Sequence, residues 1–396
     1  MPGHAGTGGR DVIFAWEQCK LGDVCDVYDG IHHTPDYQDN GIMFLSVENI
    51  STLTSDKFVS RDFFEQNYKI FPEKGDILLT RIGNVGTPNV VESTDKLAYY
   101  VSLALLKAPK INSYFLCNLI CTQEFKKELH RKTLTTAIPQ KINKDEIRKI
   151  TFFDSTSSDE RKKIGSLLEK INFTITLHEE KKQQLKCLKS ALLQKMFAYK
   201  NKSGDPDVRF KGFDERWERH MLNDLAIFNP KGTLPTSFEY VDLGSVIGVE
   251  MISHKTISKF DAPSRAQRLA QVGDLFYQTV RPYQQNNYLF DNKDNAYVFS
   301  TGYAQLRPLI DGYFLLCLVQ TKSFVRKVMN ACTGTSYPAI NSQDLAQIGV
   351  NIPINSKEQR LIGNLYKVID NLIMLYQQKL DDLNTIKQSL LQKMFI

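Results

Sequence analysis

Residues 190–197 read SALLQKMF, and residues 388–395 read QSLLQKMF. Strings this alike, 198 positions apart, mark an internal repeat, and a repeat decides how the rest of a chain is read. The same offset carries Glu160 onto Glu358, Ile164-Gly165 onto Ile362-Gly363, Leu167 onto Leu365, Ile171 onto Ile369 and Lys181 onto Lys379. Upstream it carries Gly75-Asp76-Ile77 onto Gly273-Asp274-Leu275 and Ile142-Asn143 onto Ile340-Asn341. Pro139 meets Pro338 at 199, and Trp16-Glu17, Leu21 and Asp23 meet Trp217-Glu218, Leu222 and Asp224 at 201. The chain is two tandem copies of one unit of about 200 residues, alike at its C-terminal end and diverged in the middle.

Each copy has two parts. The first 140 or so residues mix strand-like runs with turns, as in FLSVENI, GDILLT, NVVES and YYVSLALLKA, and hold one amphipathic helix near Tyr114 to His130, matched by Tyr313 to Asn330. That mixture predicts an α+β domain. The last 40 or so residues hold no proline and read as one long helix. Ser157 with Glu160, and Asn355 with Glu358, form capping-box patterns at the two starts. A heptad seam runs along the first helix through Ile164, Leu168, Ile171, Ile175, His178, Leu185, Leu188, Leu192 and Met196. Along the second it runs through Ile362, Ile369, Ile373, Tyr376, Leu383, Ile386, Leu390 and Met394. It falters at His178 and Tyr376, which read either as a register-fixing polar layer or as tolerated filler.

Connectivity then predicts geometry. A helix of about 39 residues is about 58 Å long, and to bury its seam the second must run back along the first. The expected fold is two tandem α+β domains separated by two long antiparallel coiled-coil helices, a pseudo-two-fold dumbbell. The boundaries are 1–10 for a tag-like or disordered start, 11–156 for the first domain and 157–197 for the first helix. They continue with 198–216 for a polar linker, 217–354 for the second domain and 355–396 for the second helix.

Composition narrows the class. The 396 residues are 42% hydrophobic and 24% charged, a globular balance, and 50 basic against 44 acidic residues leave a formal charge of +6. That mild excess permits a nucleic-acid partner without requiring one. No apolar run approaches a membrane span, and no signal peptide is visible. Seven cysteines at irregular spacing fit reduced thiols. Cys117 and Cys121, one turn apart in SYFLCNLICTQEF, lack a second ligand pair and read as core rather than metal site. His32-His33, in GIHHTPDYQDNG, reads as a surface loop, with a nucleic-acid contact as the sharper alternative.

Two similar but diverged domains held a fixed distance apart suit a bipartite target, and DNA repeats its groove faces every ~34 Å. The residues now carry a resemblance. Trp16, Glu17, Leu21, Gly22 and Asp23 open the unit. A Gly-Asp-Ile-Leu strand leads into Thr80-Arg81-Ile82-Gly83-Asn84, and Thr135-Thr136-Ala137-Ile138-Pro139 precedes a strand. A long helix then ends in Leu-Leu-Gln-Lys-Met-Phe. Duplicated over nearly the whole chain, this resembles the specificity (S) subunit of type I restriction–modification systems. The resemblance implies two target-recognition domains, each reading one half of a bipartite double-stranded DNA sequence. It implies helices that set half-site spacing and dock methylation (M) subunits, two of them, with restriction (R) subunits joining through that complex. It implies a prokaryotic, cytoplasmic, non-catalytic chain that holds no cofactor, with S-adenosylmethionine, ATP and Mg on the partner subunits. Gln278-Thr279-Val280-Arg281-Pro282 departs from LLTRIG of the first copy.

The residues themselves supply no catalytic set. An amino-methyltransferase needs Asn/Asp-Pro-Pro-aromatic, and neither Asn286-Asn287-Tyr288 nor Asn229-Pro230-Lys231 provides it. A nuclease needs clustered carboxylates. Pro35-Asp36 lacks a partner motif, and Glu179-Glu180-Lys181 lies on the helix. No phosphate-binding loop is present. Phosphate and base contacts favour Lys, Arg, Asn, Gln and small hydroxyls. In the first domain these cluster at Arg81 and Asn84, then at Lys132, Thr133, Thr135, Thr136, Gln140, Lys141 and Asn143. In the second they cluster at Arg281, Tyr283, Gln284 and Gln285, then at Thr333, Thr335, Ser336, Tyr337 and Asn341. The reading from another class is a structural coiled-coil adapter whose globular domains bind protein.

Overall fold

A computed structural model describes residues 16–197, 206–293, 296–334 and 336–395. The tag-like start, the first part of the linker, Thr335 and Ile396 lie outside the described residues. The chain divides into two compact units, Met1–Glu179 with Lys379–Ile396, and Glu180–Gln378. Each unit therefore contains one α+β domain, the first part of one long helix and the last part of the other.

In the first unit the central sheet has the antiparallel order Asp26–Asp29, Leu103–Lys107, Ile77–Thr80, Pro88–Val90. The run ILLT is apolar throughout because both faces of its strand are covered. Ile77 and Leu79 enter one core and Leu78 the other, as the two-residue period of a strand requires. The second core lies under a small sheet in which Ile42–Leu45 runs parallel to Leu97–Tyr99. Trp16–Lys20 pairs with Thr151–Ser155. The second unit repeats the plan. Ala226–Phe228, Tyr303–Pro308, Leu275–Gln278 and Tyr288–Leu289 form its central sheet, and Ser237–Val241 runs parallel to Tyr297–Ser300 in a four-stranded second sheet.

The single amphipathic helix expected in each domain is two helices. Ser113–Ile120 stops before Thr122, whose hydroxyl accepts from the Phe125 N–H and starts Gln123–Lys132. Thr321 does the same between Gly312–Val319 and Lys322–Ala331. Helical spacing continues across the break, but a threonine N-cap ends one ladder and opens the next.

The long helices are Ser158–Met196 and Ser356–Met394. Their repeated ends now have a reason. In the second unit Phe197 meets Trp217 edge-on at 6.0 Å and packs with Phe314 and Tyr366. In the first, Phe395 meets Trp16 edge-on at 6.1 Å and packs with Phe115. The repeated Trp and the repeated terminal Phe are one contact made twice. The repeated glycines have a similar origin: a Cβ on Gly165 would strike Asn112, and one on Gly363 would strike Asp311, the caps of the short helices that they cross.

The capping boxes form only in part. Ser157 accepts from the Glu160 N–H at 3.3 Å, but the Glu160 carboxylate takes the Ser155 hydroxyl. Glu358 turns away to Arg209. A charged or hydroxyl partner within reach outcompetes the box's backbone amide.

In the second unit, Lys182 bonds Gln377 and Lys189 bonds Asp370 at 2.5 Å. One partner advances seven residues as the other retreats seven, so the helices are antiparallel there. These pairs correct the seam. Leu188 is 48% exposed and Ile386 50%; Lys189 and Lys387 occupy the inward positions instead. Tyr366 and Leu380, buried, are seam members that aliphatic spacing omitted. The other seam residues face inward, fully or in part, including His178 and Tyr376.

Candidate nucleic-acid interface

In the first unit the chain leaves the buried strand Ile77–Thr80 and meets the segment 134–142. The Gly83 N–H donates to the Gln140 carbonyl at 2.8 Å, the Ile142 N–H to the Arg81 carbonyl at 3.0 Å, and the Leu134 N–H to the Lys141 carbonyl at 2.8 Å. The two predicted clusters are thus one surface. Asn84, Thr135, Thr136, Gln140, Lys141 and Asn143 are exposed on it. Asn143 begins the helix Lys144–Arg148 without a side-chain cap bond, which leaves its amide to solvent. Lys132 is half-buried with its ammonium 3.9 Å from Glu128.

Arg81 is corrected. It is 7% exposed. Its Nη1 pairs with Asp29, and its Nε donates to the Ile142 carbonyl at 3.1 Å. Burial pushes its pKa down. The guanidinium holds the two loops together from beneath and offers nothing to a ligand.

The second unit builds the same junction. The Arg281 N–H donates to the Pro338 carbonyl at 2.8 Å, the Ile340 N–H to Thr279 at 3.0 Å, and the Thr333 N–H to Ala339 at 2.9 Å. Ile82 bridges Lys141 in one unit, and Val280 bridges Ala339 in the other, 198 residues on. This register corrects a second expectation. Arg281 does not stand where Arg81 stands; Thr279 does, with its hydroxyl buried on the Gly302 carbonyl. Arg281 stands where the first unit has Gly83.

Among the second unit's candidates, Tyr283, Thr333, Ser336 and Tyr337 are exposed. Gln284 is exposed but accepts from Gln278 Nε2, and Gln285 exchanges two bonds with Gln320, so both brace the loop. Asn341 caps the helix Ser342–Ala346 by accepting from the Asp344 N–H at 2.8 Å, which occupies its amide oxygen. Thr335 lies outside the described residues.

A scan against family models matches residues 15–187 and 215–385 to the type I restriction modification DNA specificity domain. The chain belongs to that family. A specificity subunit is a non-catalytic DNA-recognition subunit, and catalysis lies in partner M and R subunits. This specificity subunit is similar in fold to the crystal structure of the type I restriction-modification S subunit from M. genitalium, with 14% identity, 98% of each chain covered and a TM-score of 0.68. It also matches a chain from a study of complex assembly in a type I R-M system, at 15% identity, 96% and 97% coverage and a TM-score of 0.48. The HsdS subunit from Thermoanaerobacter tengcongensis matches at 16% identity, 96% coverage of each chain and a TM-score of 0.40. No curated protein sequence matches.

Several surface residues of the specificity subunit escaped sequence reasoning. Ile138 is fully exposed at the tip of the 134–142 loop. A cleft beside that loop is lined by Asn84, Gln140, Thr133, Lys126 and His130. The basic run from Lys126 to Lys132 is the signal in the sequence that points to it. His32 and His33, which the sequence offered as a surface loop or a nucleic-acid contact, are exposed three and four residues beyond Asp29, the partner of Arg81. Cys117 and Cys121 are partly buried against the core, and burial raises both thiol pKa values. Among the described residues no helix is long and apolar enough to cross a membrane, and no group of three or more His, Cys, Asp or Glu could hold a metal.

Proposed function

We propose that this chain selects a bipartite double-stranded DNA sequence, each unit reading one half. The observation that carries the reading is the junction made twice. One backbone frame is built in both units from residues 198 apart, yet the side chains on it differ: the first unit exposes Asn84 and Gln140 where the second has Pro282 and Pro338. A shared frame with diverged side chains fits two readers of unlike half-sites. The long helices set the distance between the halves and dock the M subunits, with R subunits joining that assembly. S-adenosylmethionine, ATP and Mg belong to those partners, and the assembly works in the prokaryotic cytoplasm.

The second helix supports docking. Leu361, Val368, Leu372 and Leu375 follow heptad spacing on an exposed face, separate from the buried seam. A second exposed apolar stripe suits the seam of a partner helix. The deciding experiment selects from random double-stranded DNA with the chain assembled with its M subunits. Enrichment of one split sequence, weakened by salt, is expected. Failure to enrich any split sequence would refute the reading and leave the adapter function.

A further inference from the structure

We propose that Arg281 reads a guanine in the half-site of the second unit, with Tyr337 as the positioning residue that holds its guanidinium plane. The inference rests on the bipartite reading above and adds a residue and a base to it.

The first observation is conformational. Arg281 has φ +54°, in the left-handed region, whereas the backbone-equivalent residue of the first unit is glycine, Gly83, at φ +81°. Glycine reaches this region freely, and a residue with a Cβ does so at a cost. Residues held there against preference concentrate at functional positions. The loop enforces the conformation from both sides. Arg281 donates its N–H to Pro338, and its carbonyl accepts from the Gln284 N–H at 3.0 Å. Gln278 Nε2 donates to the Val280 carbonyl at 2.7 Å and to Gln284 Oε1 at 2.8 Å. The Gln285–Gln320 pair closes the far end.

The second observation is what the side chain does. Its guanidinium lies over the Tyr337 ring, 4.4 Å from the centroid, and that ring is 64% exposed. Among the described residues no carboxylate pairs with Arg281, in contrast to Arg81. The ring covers one side of the guanidinium, and among the described residues nothing takes its N–H donors. A phosphate accepts bonds from many directions and gains little from a preset plane. The O6/N7 edge of guanine accepts two coplanar bonds, so a fixed plane favours it.

The test uses the full chain assembled with its M subunits and random double-stranded DNA. Wild type is expected to select an invariant guanine in one half-site. Replacing that base by 7-deazaguanine, which lacks the N7 acceptor, should weaken wild-type binding about tenfold and leave Arg281→Gly unaffected. Arg281→Gly copies the first unit. It should keep or raise Tm, lose about ten- to a hundredfold in affinity, and select no base at that position, with the other half-site unchanged. Tyr337→Phe should behave as wild type, and Tyr337→Ala should lose selectivity at the same base. A guanine that persists with Arg281→Gly, wild-type half-sites without an invariant guanine, or a lowered Tm for Arg281→Gly with selectivity intact would each overturn the proposal alone. Equal behaviour of Tyr337→Ala and Tyr337→Phe would remove the positioning role. Failure of the wild type to select any sequence would overturn the bipartite reading beneath it.

Discussion

Arg209 closes on Glu358 through two bonds of 2.8 Å, joining the segment before the second domain to the first turn of the second long helix. The Glu358 side chain is 1% exposed. A bidentate pair of this kind is geometrically demanding, and removing one partner strands a buried charge. Arg209→Ala should therefore cost about 3–5 kcal/mol in urea unfolding of the second unit. The double variant Arg209→Met with Glu358→Met should recover much of that loss. A single variant that unfolds like wild type would mean that water solvates Glu358 instead.

Lys189 gives the second prediction and shows how much of the helix pair the sequence carried. Aliphatic spacing identified both helices, their period and most of the seam. It erred by one residue at Leu188 and Ile386, because an apolar residue stands beside a lysine at each point and hydrophobicity alone prefers the wrong neighbour. The lysine is inward because Asp370 receives it, and Asp370 also accepts from the Tyr313 hydroxyl at 2.8 Å. Neither fact is visible without the antiparallel register. Leu188→Gln should change stability by less than about 0.5 kcal/mol. Lys189→Leu should destabilise by about 1–3 kcal/mol, because Asp370 loses a charged partner. Adding Asp370→Leu should recover part of that loss, the remainder being the Tyr313 hydroxyl left without its acceptor, as measured by a double-mutant cycle on thermal unfolding.

The first unit's candidate interface separates a buried support from exposed polar side chains. The polarity of the 132–143 stretch was legible, but the burial of Arg81 was not, since Asp29 lies 52 residues away in sequence. Arg81→Ala should lower the Tm of the first unit and lose its half-site together with the fold. Lys141→Ala should leave Tm unchanged, weaken binding to all sequences alike, and reduce the salt slope by about one. If Arg81→Ala keeps the wild-type Tm, the support role assigned to its ion pair is wrong.

Thiol reactivity follows from burial. Desolvation raises Cys19 to about 11 and Cys25 to about 12, with nearby carboxylates adding to it, and burial raises Cys117 and Cys317 further. A raised thiol pKa keeps the thiolate scarce until the pH approaches it. At pH 8 a maleimide should label exposed Cys187 first and leave these four unmodified in the native protein. Peptide mass spectrometry checks the order. Early labelling of Cys117 would show that its helix opens readily.

The repeat itself suggests the last prediction. Asn172 stands 198 residues before Asp370, and Lys387 stands 198 after Lys189. Within the first unit, then, a half-buried seam lysine has an amide at the position where its counterpart has a carboxylate. The Asn172 Oδ1 is buried without a hydrogen-bond partner, a cost that the second unit avoids by charge. Asn172→Asp should give Lys387 the partner that Lys189 has and stabilise the first unit by about 0.5–1 kcal/mol at pH 7. The new carboxylate's pKa would fall below its unfolded value beside the ammonium. The gain should thus be full above about pH 4 to 5 and disappear as the pH drops through the depressed value. Urea unfolding at pH 7 and pH 3 measures both ends. A loss of stability at pH 7 would mean that the repeat does not extend to the pairing of these two side chains.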